Sequence, residues 1–236
     1  MEHRDRLWPG GYTFLYDDGL FRPSTDTFLL GSFPRLRRGT TVCELGAGTG
    51  LLSLLLLARE PELTVTGVEL QPQACALFRR TAEENGLQGR MHCLEGDLRQ
   101  GLLPPGRFRL AVANPPYFPP GAGAVAPDAA RRTARAETDC TLSQLCAAAA
   151  RALTWGGSFC LVHRPDVLGE LRRVRLEPKR LRFVHHTAAA PPSLFLLEAR
   201  LGGGVGLTVE PPLLLHGPDG GETEDVRRAY FRDKEE

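Results

Sequence analysis

Short runs of β-branched and apolar residues alternate with longer helical stretches along this 236-residue chain. This alternation constrains the fold more than any other feature. A strand over residues 41–45 leads into glycines and a helix over 49–59, and a strand over 64–69 precedes a helix that Pro72 opens and Asn85-Gly86 ends. The pattern is typical of a parallel sheet with helices on both faces.

Five further strands complete the predicted sheet. They cover residues 91–95, 108–113, 158–163, 181–185 and 194–201, with helices over 138–153 and 167–174 between them. Pro115-Pro116 ends the strand over 108–113, because proline cannot donate to a sheet ladder. We therefore predict an α/β fold in one domain over residues 1–236. Its central sheet is seven-stranded and mostly parallel, with one antiparallel strand and helices on both faces.

The composition excludes several classes of protein. Hydrophobic residues make up 42% and charged residues 24%, which fits a globular protein and not a disordered one. The longest apolar run, Leu51–Ala58, is much shorter than the roughly 20 residues of a membrane span, and the charged N-terminus does not resemble a signal peptide. We therefore expect a cytosolic protein without membrane contact.

The six cysteines have no C-x-x-C spacing, and their neighbours are apolar. This pattern favours buried free thiols in a reducing compartment and gives no support for a zinc site or another metal. Trp155, between a predicted helix and two glycines, is expected in the core.

The segment from Glu44 to Gly50, with the sequence E-L-G-A-G-T-G, lies where the first strand meets the first helix. Glycines there let a ligand approach the backbone at the crevice outside the strand ends. The third glycine comes one residue earlier than in a dinucleotide-binding turn. The spacing resembles motif I of class I S-adenosylmethionine methyltransferases, which have a Rossmann-like fold. A nicotinamide or other nucleotide site and a tight turn without a ligand remain alternatives. The resemblance makes cofactor-binding candidates of Glu44, Gly46, Ala47, Gly48 and Gly50.

Two carboxylates follow the next two strands. Glu69 could accept hydrogen bonds from both ribose hydroxyls of the cofactor, and Asp97 could accept one from the adenine amino group. Charge-assisted bonds of this kind contribute about 1.5–3 kcal/mol each. Either residue alone is more often a surface carboxylate. Three consecutive strand ends with suitable groups nevertheless favour S-adenosylmethionine, and we include the adjacent Leu70 and Leu98 in the predicted site.

Asn114-Pro115-Pro116-Tyr117 follows the fourth strand and resembles the N-P-P-Y motif of methyltransferases that modify planar nitrogens. The Asn114 side-chain oxygen and the Pro115 carbonyl could accept both N–H bonds of an exocyclic amine and direct its lone pair at the methyl group. The prolines would hold these acceptors in place. Tyr117 is expected to stack on the base, with Phe118 beside it. A proline-rich turn without catalytic function is the alternative.

The whole chain, over about residues 9–230, resembles the bacterial valine-tRNA adenine N6-methyltransferase family. The matching segments are residues 21–30, 134–137, 162–165, 176–184 and 209–213. The resemblance implies that residues 1–38 cover the cofactor through Thr25 and Asp26, and that the substrate is an adenine in tRNA near the anticodon. Two positions depart from the family pattern: Ser24 replaces a glycine and Ala136 replaces a histidine, which leaves the identity of the RNA open.

Two segments hold arginines that could contact RNA. A long Pro-, Gly- and Ala-rich loop over residues 118–136 carries Arg131, Arg132 and Arg135, which we expect to contact the substrate. Residues 164–182 have a net charge of +4, from seven basic and three acidic residues. They could contact phosphates or form an ordinary solvated surface. Residues 210–236 are predicted to form a solvated tail or a lid.

The sequence thus favours a monomeric enzyme that methylates N6 of an adenine in RNA. Two other functions are open. One is methylation of a glutamine amide in a release factor, although only about 40 residues precede motif I and such enzymes usually carry a helical N-terminal domain. The other is non-catalytic binding of S-adenosylmethionine, against which the intact Asn114 argues.

Overall fold

A computed structural model describes residues 1–20, 22–115, 140–163 and 168–234 of the chain. These residues form eleven strands and six α-helices. The strands are β1 (Glu2–Arg6), β2 (Thr13–Asp17), β3 (Thr41–Leu45), β4 (Thr64–Glu69), β5 (Met91–Glu95), β6 (Phe108–Ala113), β7 (Leu153–His163), β8 (Leu176–His185), β9 (Pro192–Leu201), β10 (Thr208–Val209) and β11 (Leu213–Leu214). The helices are α1 (Thr25–Ser32), α2 (Leu51–Arg59), α3 (Pro72–Glu84), α4 (Leu142–Ala152), α5 (Leu168–Arg173) and α6 (Glu224–Ala229).

The main sheet has the order β10-β8-β9-β7-β6-β3-β4-β5, and β11 also pairs with β8. Only β9 runs antiparallel to its neighbours, β7 and β8. The predicted fold class is therefore confirmed: the seven expected strands are present with one antiparallel strand. Two additional strands of two residues each, β10 and β11, extend the described sheet at the β8 edge.

Alternating residues of the central strands pack into two separate cores. Val42 in β3 and Val112 in β6 contact the core beneath α1, α2 and α3, whereas Cys43 and Ala111 contact the core beneath α4 and α5. Successive side chains of a strand point to opposite faces, so this alternation places helices on both sides of the sheet. Both faces of the central strands are buried, which explains their continuous apolar sequence.

Residues 1–38, which were predicted as one covering segment, contain a β-hairpin and the helix α1. Strands β1 and β2 make an antiparallel hairpin outside the main sheet. Asn85 at the end of α3 holds this hairpin, because its side chain accepts from the Thr13 amide (2.8 Å) and donates to the Thr13 carbonyl. Helix α1 lies on α2, where the small residue Gly31 allows close approach to Leu55. A β-carbon at Gly31 would lie 3.0 Å from that side chain.

The C-terminal residues are not a solvated tail, so that alternative of the prediction is wrong for residues 211–234. Strand β11 joins the sheet edge, and α6 buries Val226 and Ala229. Phe231 is also buried, with its ring 5.0 Å from that of Trp8. These apolar side chains were too widely spaced among charged residues to indicate a buried face.

Two expectations about buried side chains are wrong. Cys75 in α3 and Cys93 in β5 form a disulfide, with Cα atoms 6.0 Å apart, although Cys43, Cys146 and Cys160 are buried free thiols as expected. Trp155 is 71% exposed and lies across Gly202. Strand β7 begins earlier than predicted, so Trp155 lies near its amino-terminal end and not in the core.

No helix among the described residues is both long and apolar enough to cross a membrane.

Candidate active site

The crevice of the sheet lies between the carboxyl ends of β3 and β6. From β3 the chain continues to β4 and β5 on one side, and it then returns to β6 and β7 on the other. Strands β3 and β6 are parallel, with Glu44 opposite Val112, so the segments that begin at Gly46 and Asn114 leave the sheet at the same level. Ligands of open α/β sheets bind at such a switch point.

The glycine turn after β3 has three left-handed residues, Gly46 (φ 73°), Gly48 (φ 53°) and Gly50 (φ 87°). A β-carbon at Gly46 or Gly48 would meet no atom of the described residues within 4 Å, so these two glycines border open space in this part of the structure. A β-carbon at Gly50 would instead lie 2.6 Å from side-chain atoms of both Met91 and Phe78. The turn therefore uses its first two glycines to expose backbone and its third for close packing against the core.

Gly50→Ala should destabilise the protein by about 2–4 kcal/mol, because a methyl group would enter a packed core at a left-handed residue. Gly48→Ala is the matched control and should cost about 1 kcal/mol. It should instead weaken binding of the cofactor by about tenfold or more, since its methyl group enters the crevice. Thermal unfolding and calorimetric titration would measure the two effects. Equal destabilisation by both substitutions would contradict the assigned roles.

Glu44 is 3% exposed. Its Oε2 accepts from the Ser53 amide at 3.0 Å and from the Ser53 hydroxyl at the start of α2. Burial raises the pKa of Glu44 to about 8, although the bonds from Ser53 oppose the shift. This predicted cofactor-binding residue thus supports the glycine turn by holding the first turn of α2.

Glu69, at the end of β4, is 9% exposed and faces the glycine turn. The Gly48 amide donates to its Oε2 at 2.7 Å, and the Gln71 amide donates to its Oε1 at 2.8 Å. Each carboxylate oxygen has more than one lone pair, so each can accept a further hydrogen bond from a ligand. The structure thus joins two of the predicted cofactor-binding segments, the glycine turn and the end of β4.

Asp97 follows β5 and caps a short 3₁₀ turn, where it accepts from the Arg99 amide. The Arg99 side chain also binds it, with Nε 2.9 and 2.8 Å from the two carboxylate oxygens. The hydrogen bond from the Arg99 side chain is the main reason that the pKa of Asp97 lies below its usual range. Arg99 was not predicted as a site residue. Its bonds keep the Asp97 carboxylate charged and fix its orientation.

Asn114 and Pro115 follow β6 and are both partly buried. The Asn114 Nδ2 donates to Thr27 Oγ1 in α1 at 2.9 Å. This bond occupies the amide nitrogen, and no described residue donates to the side-chain oxygen, which can therefore act as an acceptor. Thr27 was not predicted as a site residue, although the adjacent Thr25 and Asp26 were.

The remaining cofactor candidates border the same region. Thr25 and Asp26 form the first turn of α1, and the Thr25 hydroxyl accepts from the Tyr230 hydroxyl at 3.0 Å. Tyr230 also stacks on Phe28, with ring centroids 4.1 Å apart, so the C-terminal segment fixes the start of α1. Leu70 and Leu98 are half-buried beside Glu69 and Asp97. Ala47 is buried in the turn, and its amide donates to the carbonyl of Val68.

Several predicted catalytic or substrate-binding residues lie outside the described residues, as does Ala136: Pro116, Tyr117, Phe118, Arg131, Arg132 and Arg135. The basic segment 164–182 is described except for residues 164–167. Its arginines mostly pair with acidic side chains, which favours a structural surface over a phosphate-binding one. These ion pairs are Arg172–Glu177, Arg173–Glu170, Arg180–Glu198 and Arg182–Asp225.

The crevice has the groups that a nucleoside ligand with a charged tail would require. Gly46 and Gly48 leave open space beside exposed backbone, and the two fixed carboxylates of Glu69 and Asp97 can accept from hydroxyl and amino groups. These residues fit S-adenosylmethionine, whose ribose and adenine carry those donors.

Comparison with known proteins gives a consistent result. Residues 18–172 match the family model described as "Methyltransferase small domain". A curated protein of Yersinia enterocolitica, named tRNA1(Val) (adenine(37)-N6)-methyltransferase, is 31% identical over 184 residues, which are 75% of this chain and 72% of the relative.

Solved structures share the fold. A predicted O-methyltransferase from Agrobacterium tumefaciens superposes with a TM-score of 0.70 at 21% identity, covering 87% of this chain and 96% of its own. The geranyl diphosphate C-methyltransferase of Streptomyces coelicolor, solved with S-adenosyl-L-homocysteine, has a TM-score of 0.53 at 14% identity and covers 74% of this chain and 78% of its own. At these identities the likeness concerns the fold alone.

Proposed function

Because the chain belongs to the methyltransferase small domain family, we propose that it transfers a methyl group from S-adenosylmethionine to the exocyclic N6 of an adenine in tRNA. The observation that carries this proposal is the placement of Asn114. Its nitrogen is bound to Thr27, no described residue donates to its oxygen, and the chain at Asn114 leaves the sheet level with the glycine turn. The named activity of the Yersinia relative supports the same reaction.

An adenine amino group is a poor nucleophile because its lone pair is delocalised into the ring. The Asn114 Oδ1 and the Pro115 carbonyl accept its two N–H bonds, which favours a more tetrahedral nitrogen with a localised lone pair. Both acceptors follow a buried strand and are fixed before the substrate binds. They therefore require little reorganisation in the transition state, and such preorganised groups give large rate effects.

The methyl donor supplies a methyl group on a positively charged sulfur. The adenine nitrogen gives its lone pair to the methyl carbon, and an N–C bond forms as the S–C bond breaks and its electron pair returns to sulfur. The nitrogen becomes acidic as it gains the methyl group and releases one proton to water. The reaction thus needs acceptors that orient the amine more than it needs a general base.

Most of the predicted cofactor residues would contact the cofactor directly. Gly46 and Gly48 let the methionine part approach the backbone, Glu69 accepts from the ribose hydroxyls, and Asp97 accepts from the adenine amino group. The first turn of α1, with Thr25 and Asp26, covers the donor. Leu70 and Leu98 border its adenine.

The substrate side of the proposal depends on residues outside the described part. Tyr117 would stack on the target adenine, with Phe118 beside it, and Arg131, Arg132 and Arg135 would contact the RNA. The target base must leave its stack to reach Asn114, which favours a single-stranded loop such as the anticodon loop. We propose that the enzyme acts as a monomer in the cytosol.

The test is transfer of a deuterated methyl group. The purified chain would be incubated with labelled S-adenosylmethionine and total tRNA from a strain that lacks this protein, and the digested nucleosides would be separated by mass spectrometry. We expect labelled N6-methyladenosine. Its absence, or label on a glutamine of a release factor added in a parallel reaction, would overturn the proposal.

A further inference from the structure

Asn114 is held by a residue 87 positions earlier in the chain. Among the described residues its side chain bonds to Thr27, whose Oγ1 lies 2.9 Å from Asn114 Nδ2. Thr27 is 7% exposed, and α1 is fixed against α2 at Gly31 and Leu55. The contact therefore joins two anchored elements.

The orientation of the Asn114 amide decides whether it assists or opposes the reaction. The two ends of an asparagine side chain have nearly the same shape but opposite hydrogen-bonding character. With the oxygen in the crevice, the side chain accepts from the substrate amine. With the nitrogen there, two donors face each other and the amine is repelled.

Thr27 alone does not fix this orientation, because a hydroxyl both donates and accepts. Ser24 lies beside this contact: its Oγ is 3.2 Å from Thr27 Oγ1, and either hydroxyl can donate to the other. When Ser24 accepts the Thr27 proton, Thr27 presents only lone pairs to Asn114. Asn114 must then offer its nitrogen to Thr27 and its oxygen to the crevice. Ser24 is the residue before α1, and its side chain makes no helix-capping hydrogen bond.

We propose that Thr27 is a positioning residue that holds Asn114 with its oxygen toward the substrate, and that Ser24 accepts the Thr27 proton and so sets the direction of the hydrogen bonds. This inference rests on the proposed function for its kinetic consequence. The hydrogen bonds themselves do not depend on that function, so they can be tested separately.

The kinetic test compares Thr27→Val with Thr27→Ser. Valine keeps the shape of threonine and removes the hydroxyl, so the Asn114 nitrogen loses its partner and turns toward the crevice in most molecules. We expect kcat to fall about tenfold, with the KM for tRNA and the Kd for S-adenosylmethionine nearly unchanged. Serine should recover most of that loss. The matched control is Thr81→Val, a fully buried threonine in α3, which should lower stability but not kcat. Failure of serine to recover the loss would overturn the proposal.

Ser24 is tested by a double-mutant cycle. Ser24→Ala should lower kcat severalfold in the wild-type protein and have no further effect together with Thr27→Val, because both act through one chain of bonds. Independent, additive effects would contradict the role given to Ser24.

A second readout requires no catalysis. In the cofactor-free protein, the Asn114 side-chain NH₂ signals would be identified by NMR from their loss in Asn114→Ala. Their hydrogen exchange should be slow in the wild type and clearly faster in Thr27→Val. Unchanged exchange would overturn the positioning role, whereas a protected amide in a protein that fails to methylate adenine would refute only the proposed function.

Discussion

Asn114→Ala should lower kcat for methyl transfer by about 10²–10³, the loss expected when a preorganised group that acts in the transition state is removed. The substitution deletes the acceptor oxygen but leaves the backbone after β6 and the Pro115 carbonyl in place. The affinity for S-adenosylmethionine should remain near the wild-type value. Single-turnover kinetics with tRNA and calorimetric titration of the cofactor would measure the two quantities.

Asn114→Asp tests the acceptor oxygen separately from the amide nitrogen, because it keeps the first and replaces the second. Aspartate keeps an oxygen toward the crevice, and its second oxygen can accept from the Thr27 hydroxyl. It should therefore retain much more activity than alanine. If Asn114→Ala reduced cofactor affinity as strongly as kcat, the residue would be holding the crevice together and not acting on the amine.

Glu69→Ala should have the opposite effect. Two charge-assisted hydrogen bonds to the ribose, at about 1.5–3 kcal/mol each, would disappear. The Gly48 amide would also lose its acceptor. We expect the Kd for S-adenosylmethionine to rise by about 10²-fold or more, while kcat at saturating cofactor changes only severalfold. Equilibrium binding and kcat measured over a range of cofactor concentrations would show this separation.

Glu62→Ala provides the matched control for Glu69. This glutamate lies just before β4, at the end of the strand opposite Glu69, and pairs with Arg38 at the surface. Its removal should leave the Kd unchanged. A similar rise in Kd for both variants would indicate a general loss of structure and would remove Glu69 from the cofactor site.

The central strands and the glycine turn could be predicted because their signals are local. Strands β3, β4, β5 and β6 have the predicted bounds, since apolar runs between glycine and proline residues leave few other conformations. The parallel sheet then brings Gly46, Glu69 and Asn114 to one edge, because consecutive strands end at the same side. The order of the residues was thus sufficient to predict which ones share the crevice.

The directions of the side chains were not predictable in this way. Glu44 was predicted among the cofactor residues, and its buried carboxylate accepts from the Ser53 amide, a partner that the sequence did not indicate. Asp97 was predicted to accept from adenine, and its oxygens also accept from Arg99, which orients the carboxylate. In both positions a neighbouring donor fixes the carboxylate, and the sequence does not show which donor is within reach.

What the sequence by itself determined is the set of groups needed for the chemistry: a glycine turn, carboxylates after the next two strands, and an asparagine before two prolines. Only the tertiary structure decided how those groups are oriented. Thr27 and Asn114 are far apart in the chain, and so are Tyr230 and Thr25, yet both pairs are in hydrogen-bonding contact. Turns and strands can be predicted because they depend on steric limits between residues that are close in the chain. A contact between distant residues depends instead on how whole helices pack against the sheet.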